Sequence, residues 1–363
     1  MKRIVTSESV NCGHPDKTCD IIADSFLDEA LRQDPNSQMA VECAIKDNLL
    51  MIYGEATTNA VIDYEGIARK VLKYIGYKQE FDFIKKISSQ SCQINRAVTK
   101  QKLCANDQGI AFGYATNETK EYMPLPIIIA HKLMQQYEQY RRQNPEKYFA
   151  DAKSQVSVTY DDNTAVALHT VLVSVSHTSG LDNSVIYQDI NTNVIKPVLK
   201  EYNIDKSDLK TIINPSGEFS IWGSFGDSGC VGRKIVVDTY GGVGHVGGGC
   251  FSSKNATKVD RSGAYFARYV AKNIVAHNLC DRCEVELSFG IGIDKPISIR
   301  VDTFGTEKVT IEQIYDFIND NFDFSIDNMI KELNLLQPIY TNTACYGHFG
   351  RDGFSWEKIK ECK

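Results

Sequence analysis

One pattern recurs three times along these 363 residues and limits the folds open to the chain. Two strand-like runs are followed each time by an amphipathic helical stretch: residues 39–58 lead to Ile67, Val71 and Ile75, residues 155–176 to Ile186, Ile190 and Val194, and residues 284–303 to Ile311, Tyr315 and Ile318. Apolar residues three or four apart mark one buried helix face. The preceding runs alternate, most clearly at Val156, Val158 and Tyr160, which lead through Asp161, Asp162 and Asn163 to Val171, Val173 and Val175. A period of two on either side of an Asp/Asn turn describes a hairpin with one face to bury. A half-apolar sheet needs a covering layer, and each helix supplies one. The expected fold class is α+β, with three similar subdomains, each a mixed or antiparallel sheet covered by helices.

Two other segments carry the chemistry. Between Asp238 and Arg261 a glycine-dense loop is set beside Lys254 and Lys258, followed by Asp260. Glycines let backbone N–H groups approach a ligand, lysine and arginine neutralise phosphate charge, and a carboxylate holds the accompanying Mg2+. These parts suit a polyphosphate, although residues 249–255 lack the second Gly and the Ser/Thr after Lys of a Walker A loop. Near the amino terminus, His14, Asp16 and Lys17 precede Ile22, Phe26 and Ala30 at helical spacing, with Pro15 suited to the first helical position. A helix start favours anions, so His14 and Lys17 are expected to face phosphate oxygens while Asp16 holds a metal. Taken singly, the first segment reads equally as a solvated surface loop and the second as a plain helix cap.

Together, and in order along nearly the whole chain, these and five further strings resemble the methionine adenosyltransferase family, the S-adenosylmethionine synthetases. The strings are Thr6-Ser-Glu-Ser-Val-x-x-Gly-His14-Pro-Asp16-Lys17, Gly54-Glu55-Ala-Thr-Thr, Asp107-Gln-Gly-x-x-Phe-Gly-Tyr-Ala-Thr-Asn-Glu118, Asp151-Ala-Lys153-Ser-Gln-Val, Gly232-Arg233-Lys234-Ile-x-Val-Asp238-Thr-Tyr-Gly-Gly, Lys258-Val-Asp260-Arg261-Ser and Ala344-Cys-Tyr-Gly-His-Phe-Gly-Arg351. The resemblance implies interleaved subdomains related by pseudo-threefold symmetry, here at residues 1–101, 102–220 and 221–363. It also implies a homodimer or dimer of dimers, subunits pairing sheet against sheet with active sites at the interface.

The implied reaction joins ATP and L-methionine. The thioether sulfur attacks ribose C5′, the triphosphate leaves, and the tripolyphosphate is hydrolysed to pyrophosphate and phosphate. A thioether has no proton to lose, so no general base is needed at the carbon. The barrier lies in alignment and in the charge growing on the departing group. Carried over position by position, the resemblance implies ATP binding by His14, Asp151, Lys153, Phe219, Arg233, Lys234, Lys254 and Lys258. Of these, His14, Lys153, Arg233, Lys234, Lys254 and Lys258 form the catalytic cationic clamp, Asp151 meets the ribose, and Phe219 stacks on adenine. Glu55, Gln90, Asp107, Asp227 and Lys258 match methionine-binding positions. Asp16 and Asp260 match the ligands of two Mg2+ ions per site, and Glu42 that of a K+ ion.

Several positions depart from the family pattern. Gln90-Ser-Cys92-Gln93 replaces Gln-Ser-Pro-Asp, and Val246, Ser253 and Asn255 replace a histidine, a glycine and an aspartate of the phosphate loop. Ser253 fits only where the backbone does not demand a positive φ, and His245 stands one place before the missing histidine. Glu218 occupies the place of an arginine, and Ser224 that of a proline. These changes motivate an alternative reading as a catalytically weak regulatory paralogue or a nucleotide or polyphosphate hydrolase.

A formal net charge of −6 argues against a nucleic-acid-coating protein. No apolar run approaches the ~20 residues of a membrane span and the amino terminus lacks a signal-peptide core, so a cytoplasmic protein is expected. Eleven scattered cysteines fit free thiols in a reducing compartment. His277, Cys280 and Cys283 suggest zinc by spacing but have no second ligand pair; the resemblance makes them a helix end leading into a strand.

Overall fold

The structure, a computed structural model, describes residues 2–89 and 103–362. A first unit runs β1 (Lys2–Val10), α1 (Pro15–Gln33), β2 (Gln38–Lys46), β3 (Leu49–Thr57), α2 (Tyr64–Ile75) and β4 (Asp82–Ser88). A second runs β5 (Gly109–Thr116), α3 (Leu125–Gln143), β6 (Tyr148–Asp161), β7 (Thr164–His177), α4 (Asn183–Ile190), α5 (Lys196–Lys200) and β8 (Lys210–Ile213). The third comprises β9 (Gly229–Cys230), α6 (Ile235–Asp238), α7 (Val259–Ala276), β10 (Arg282–Phe289), β11 (Ser298–Asp302), α8 (Ile311–Asn321) and α9 (Ile326–Glu332). The plan repeats: a strand, a long helix, a hairpin, a covering helix. The expected hairpins are β2–β3, β6–β7 and β10–β11, and the expected helical faces are those of α2, α4 and α8.

The sheets do not follow these units. Their strand orders are β4-β3-β2-β9, β1-β6-β7-β8 and β11-β10-β5. The first strand of each unit pairs antiparallel with the hairpin of another: β1 with β6, β5 with β10 and β9 with β2. Strands thus pass from the first unit to the second, from the second to the third and from the third back to the first. This closed exchange is the form the interleaving takes.

Local signals set the helix ends. Pro15 occupies the first turn of α1 and His14 caps it. The Asp63 side chain accepts the Gly66 N–H before α2, which stops at Gly76 with φ 125°. Thr310 and Gln313 form a reciprocal capping box on α8. Helix α7 is buried from Arg261 to Val275, as befits a helix in contact with its neighbours all round. Gly113 of β5 lets it approach: a Cβ there would stand 2.0 Å from the Ala267 carbonyl carbon. The two buried arginines of α7 are matched, Arg261 by Asp24 of α1 at 2.8 Å and Arg268 by Glu357 at 2.9 Å. No described helix is long and apolar enough to cross a membrane.

Candidate active site

The start of α1 gathers one group of the expected residues. His14 accepts the Asp16 N–H on Nδ1 at 3.2 Å, which leaves the proton on Nε2. Burial, then the charge of Lys234, pulls its pKa down to about 3 against the pull of Asp16, and Lys153 and Lys17 add to the effect. His14 is therefore a neutral N–H donor, which corrects its expected place among the cations. Asp16 is buried; its Oδ1 accepts the Cys230 N–H at 3.0 Å and its Oδ2 accepts Lys234 Nζ at 2.7 Å, with Arg233 Nε 3.4 Å away. Burial raises its carboxyl, but Lys234 and the Cys230 N–H outweigh that and hold it below the ordinary range.

Lys17 does not face the site. It is fully buried and bonded to Asp20 and Asp238, whose charges raise its pKa although burial opposes them. The expectation that it meets phosphate is corrected: a cation flanked by two buried carboxylates is already neutralised. The same cluster braces the segment that carries Arg233 and Lys234, because Asp20 Oδ1 accepts the Gly232 N–H at 2.9 Å just before them.

Lys153 lies opposite Val10 in the β1–β6 pairing and is exposed. Two residues earlier on β6, Asp151 is buried and accepts the Gly223 N–H on Oδ2 at 3.0 Å. Burial pushes its pKa up to about 7; Gly223 and Lys153 oppose the rise, while Asp227 and Asp16 add to it. Asp227 is exposed, its Oδ1 accepting the Ser228 N–H at 2.7 Å.

A second group surrounds Lys258, the residue preceding α7. Its pKa is lowered by burial and by Lys254, while Glu55, Asp107 and Asp260 pull it back. Lys254 Nζ donates to Asp260 Oδ2 at 2.6 Å. With its amide oriented to suit both neighbours, Asn106 accepts Lys258 Nζ at 3.0 Å and donates to the Thr257 carbonyl at 3.1 Å. Glu42 accepts the Tyr53 hydroxyl at 3.2 Å on the sheet that Lys254 joins through a bridge to Ala40. Among the described residues, no hydrogen bond or ion pair links this group to the one around His14. Gln90, Cys92 and Gln93 lie outside the described residues.

The departures have local explanations. Ser224 uses the N–H that a proline lacks, donating it to the Tyr77 hydroxyl at 2.9 Å, and its own hydroxyl donates to the Asp47 carbonyl at 2.6 Å. Ser253 does adopt a positive φ, 78°, a conformation that favours the glycine it replaces. Glu218 accepts the Ser179 hydroxyl at 2.6 Å. His245 is tied to Glu284, through its backbone N–H at 2.8 Å and its Nδ1 at 2.7 Å. His277 caps the end of α7 ahead of β10, as the resemblance implied. Sequence reasoning missed Asn106 and Asp20, which lie outside the motifs, and gave Asp238 no role although it lies within one.

The chain matches the models of the N-terminal, central and C-terminal domains of S-adenosylmethionine synthetase at residues 2–102, 102–219 and 221–358. The chain belongs to the S-adenosylmethionine synthetase family. It is similar to a protein of Mesoplasma florum called S-adenosylmethionine synthase, 45% identical over 377 residues that cover 100% of this chain and 99% of the relative. A protein of the same name from Mycoplasma capricolum subsp. capricolum is 46% identical, covering 99% of this chain and 95% of its own length.

Proposed function

We propose that this chain is a methionine adenosyltransferase that forms S-adenosylmethionine from ATP and L-methionine by sulfur attack on ribose C5′, then hydrolyses the tripolyphosphate to pyrophosphate and phosphate. The observation that carries this reading is the convergence of His14, Asp16, Lys153, Arg233 and Lys234 at the start of α1. A departing triphosphate needs fixed positive charge and N–H donors in place beforehand, since groups already oriented cost no reorganisation as the C–O bond breaks. In this reading neutral His14 donates its Nε2–H to a leaving-group oxygen, and Lys153, Arg233 and Lys234 hold the phosphates. Lys254 and Lys258 extend the clamp. Asp151 accepts a ribose hydroxyl, Phe219 stacks on adenine, and Glu55, Gln90, Asp107 and Asp227 receive methionine.

Asp16 and Asp260 suit two Mg2+ ions, because each is a carboxylate now countered by a lysine that phosphate would draw away. Each ion would be held by one carboxylate together with substrate oxygens and water. When bound, Mg2+ supplies charge neutralisation at the phosphate oxygens. Glu42 is the proposed K+ ligand. Segments 1–101, 102–220 and 221–363 are the proposed subdomains.

The family resemblance supports a homodimer, or a dimer of dimers, with the sites at the subunit interface. A cytoplasmic location fits the substrates. The test is to incubate the purified chain with ATP, methionine, Mg2+ and K+ and to follow S-adenosylmethionine and phosphate together. Stoichiometric sulfonium product is expected; phosphate released without it would overturn the assignment.

A further inference from the structure

Two buried residues at the end of β7 do no chemistry in the proposal above, yet each holds a residue assigned to the nucleoside. The Ser176 hydroxyl donates to the Asp151 carbonyl at 2.6 Å. His177, 1% exposed, holds Phe219 twice: its backbone N–H donates to the Phe219 carbonyl at 2.9 Å, and its ring Nε2 accepts the Phe219 N–H at 3.1 Å. Its Nδ1 lies 2.9 Å from the Thr178 carbonyl. A carbonyl only accepts, so Nδ1 carries the proton, and one tautomer of the neutral ring satisfies both contacts.

These bonds replace a missing strand. Strand β8 pairs with β7 only as far as Val173 and Ile213, so beyond that point the β7 edge has backbone groups without a ladder partner. Asn214 answers Val175 with both ends of its amide, at 2.8 and 2.9 Å, and His177 answers Phe219 five residues further along. Side chains thereby lay residues 214–219 along the open edge.

We propose that His177 is the positioning residue of the adenine subsite, fixing the Phe219 backbone so that its ring meets the nucleobase, while Ser176 fixes Asp151 at the ribose. The inference rests on the assignment of Phe219 and Asp151 to the nucleoside. With the ring bond gone and only the His177 backbone bond left, Phe219 loses its fixed place beside the base, whereas the phosphate contacts on α1 and at Arg233 and Lys234 remain. The mark of the role is a selective loss of ATP affinity.

The test is steady-state kinetics on the full chain, with the melting temperature measured alongside, for His177→Leu, His177→Asn, His177→Gln and Phe219→Leu. Glutamine places its carbonyl oxygen near the position of Nε2; asparagine is too short to reach Phe219. His177→Leu and His177→Asn are expected to raise KM for ATP about tenfold, because each leaves the Phe219 N–H without its partner. KM for methionine is expected to stay put, and His177→Gln to recover most of the ATP affinity.

Unchanged KM for ATP in the Leu and Asn variants overturns the proposal, as do equal rises for both substrates that follow the fall in melting temperature. If His177→Leu does not fold, the Asn and Gln variants give the same comparison. Phe219→Leu tests the reading underneath. No effect of that change on KM for ATP removes the adenine assignment, while an effect there and none at His177 removes only the positioning role.

Discussion

Ser253 holds a left-handed backbone, its buried hydroxyl finds no hydrogen-bond partner among the described residues, and its N–H donates to Asp24 at 3.0 Å. The conformation costs a non-glycine residue about 1–2 kcal/mol. A buried hydroxyl without a partner costs about 1–3 kcal/mol more. Glycine removes both penalties, though it adds about 0.4–1 kcal/mol of unfolded-chain entropy to be lost. Ser253→Gly is therefore expected to stabilise the chain by at least about 1 kcal/mol in urea unfolding; a loss of stability would mean the hydroxyl is used. Asp151 gives a second prediction. With its pKa pushed up to about 7, it is protonated below that pH and a full acceptor for a ribose hydroxyl above it. KM for ATP should fall as pH rises through about 7, and Asp151→Asn should bind ATP more weakly and lose that part of the slope. A profile shared by the wild type and the variant would remove Asp151 from the nucleotide site.

At the scale of elements, β9 is the smallest strand of the exchange and sits closest to the chemistry. Gly229 lies so near the start of α1 that a Cβ would stand 2.3 Å from the Pro15 carbonyl carbon, and the next residue donates its N–H to Asp16. Gly229→Ala must push the two apart, at a cost of about 1–3 kcal/mol. It should lower kcat as Asp16 and Lys234 lose register; a variant with normal kcat and reduced stability would show that the approach serves packing alone. The hairpins, α2, α4, α8 and the start of α1 were legible because periodicity and caps are local signals. Pairing between β9 and β2 was not, since a two-residue strand held by backbone bonds leaves no pattern. The candidate site could be proposed from sequence where charge types cluster, at His14 to Lys17 and Lys254 to Asp260. It misled at Lys17, because only the fold brings Asp238 beside it.

For the whole molecule, the closed exchange of strands means that no unit owns all the strands of its sheet. Removing one unit strips an edge strand from another, and the buried Arg261–Asp24 pair ties α7 to α1 across 237 positions of sequence. Breaking such a pair alone typically costs about 3–5 kcal/mol. The molecule should therefore unfold in one step despite its 363 residues. The two tryptophans make this measurable. Trp222 packs on Tyr77 and Phe149, with ring centres 4.7 and 5.9 Å away, and so reports on a junction of all three units. Trp356 packs on Tyr265 within the third unit, at 4.0 Å. In a Trp356→Phe variant at fixed protein concentration, Trp222 fluorescence and far-ultraviolet circular dichroism should give one urea midpoint, because coincidence of probes is the mark of a two-state transition. A fluorescence change that precedes the loss of secondary structure would show the units parting before they melt, and the exchanged strands would then be ornaments on three independent folds.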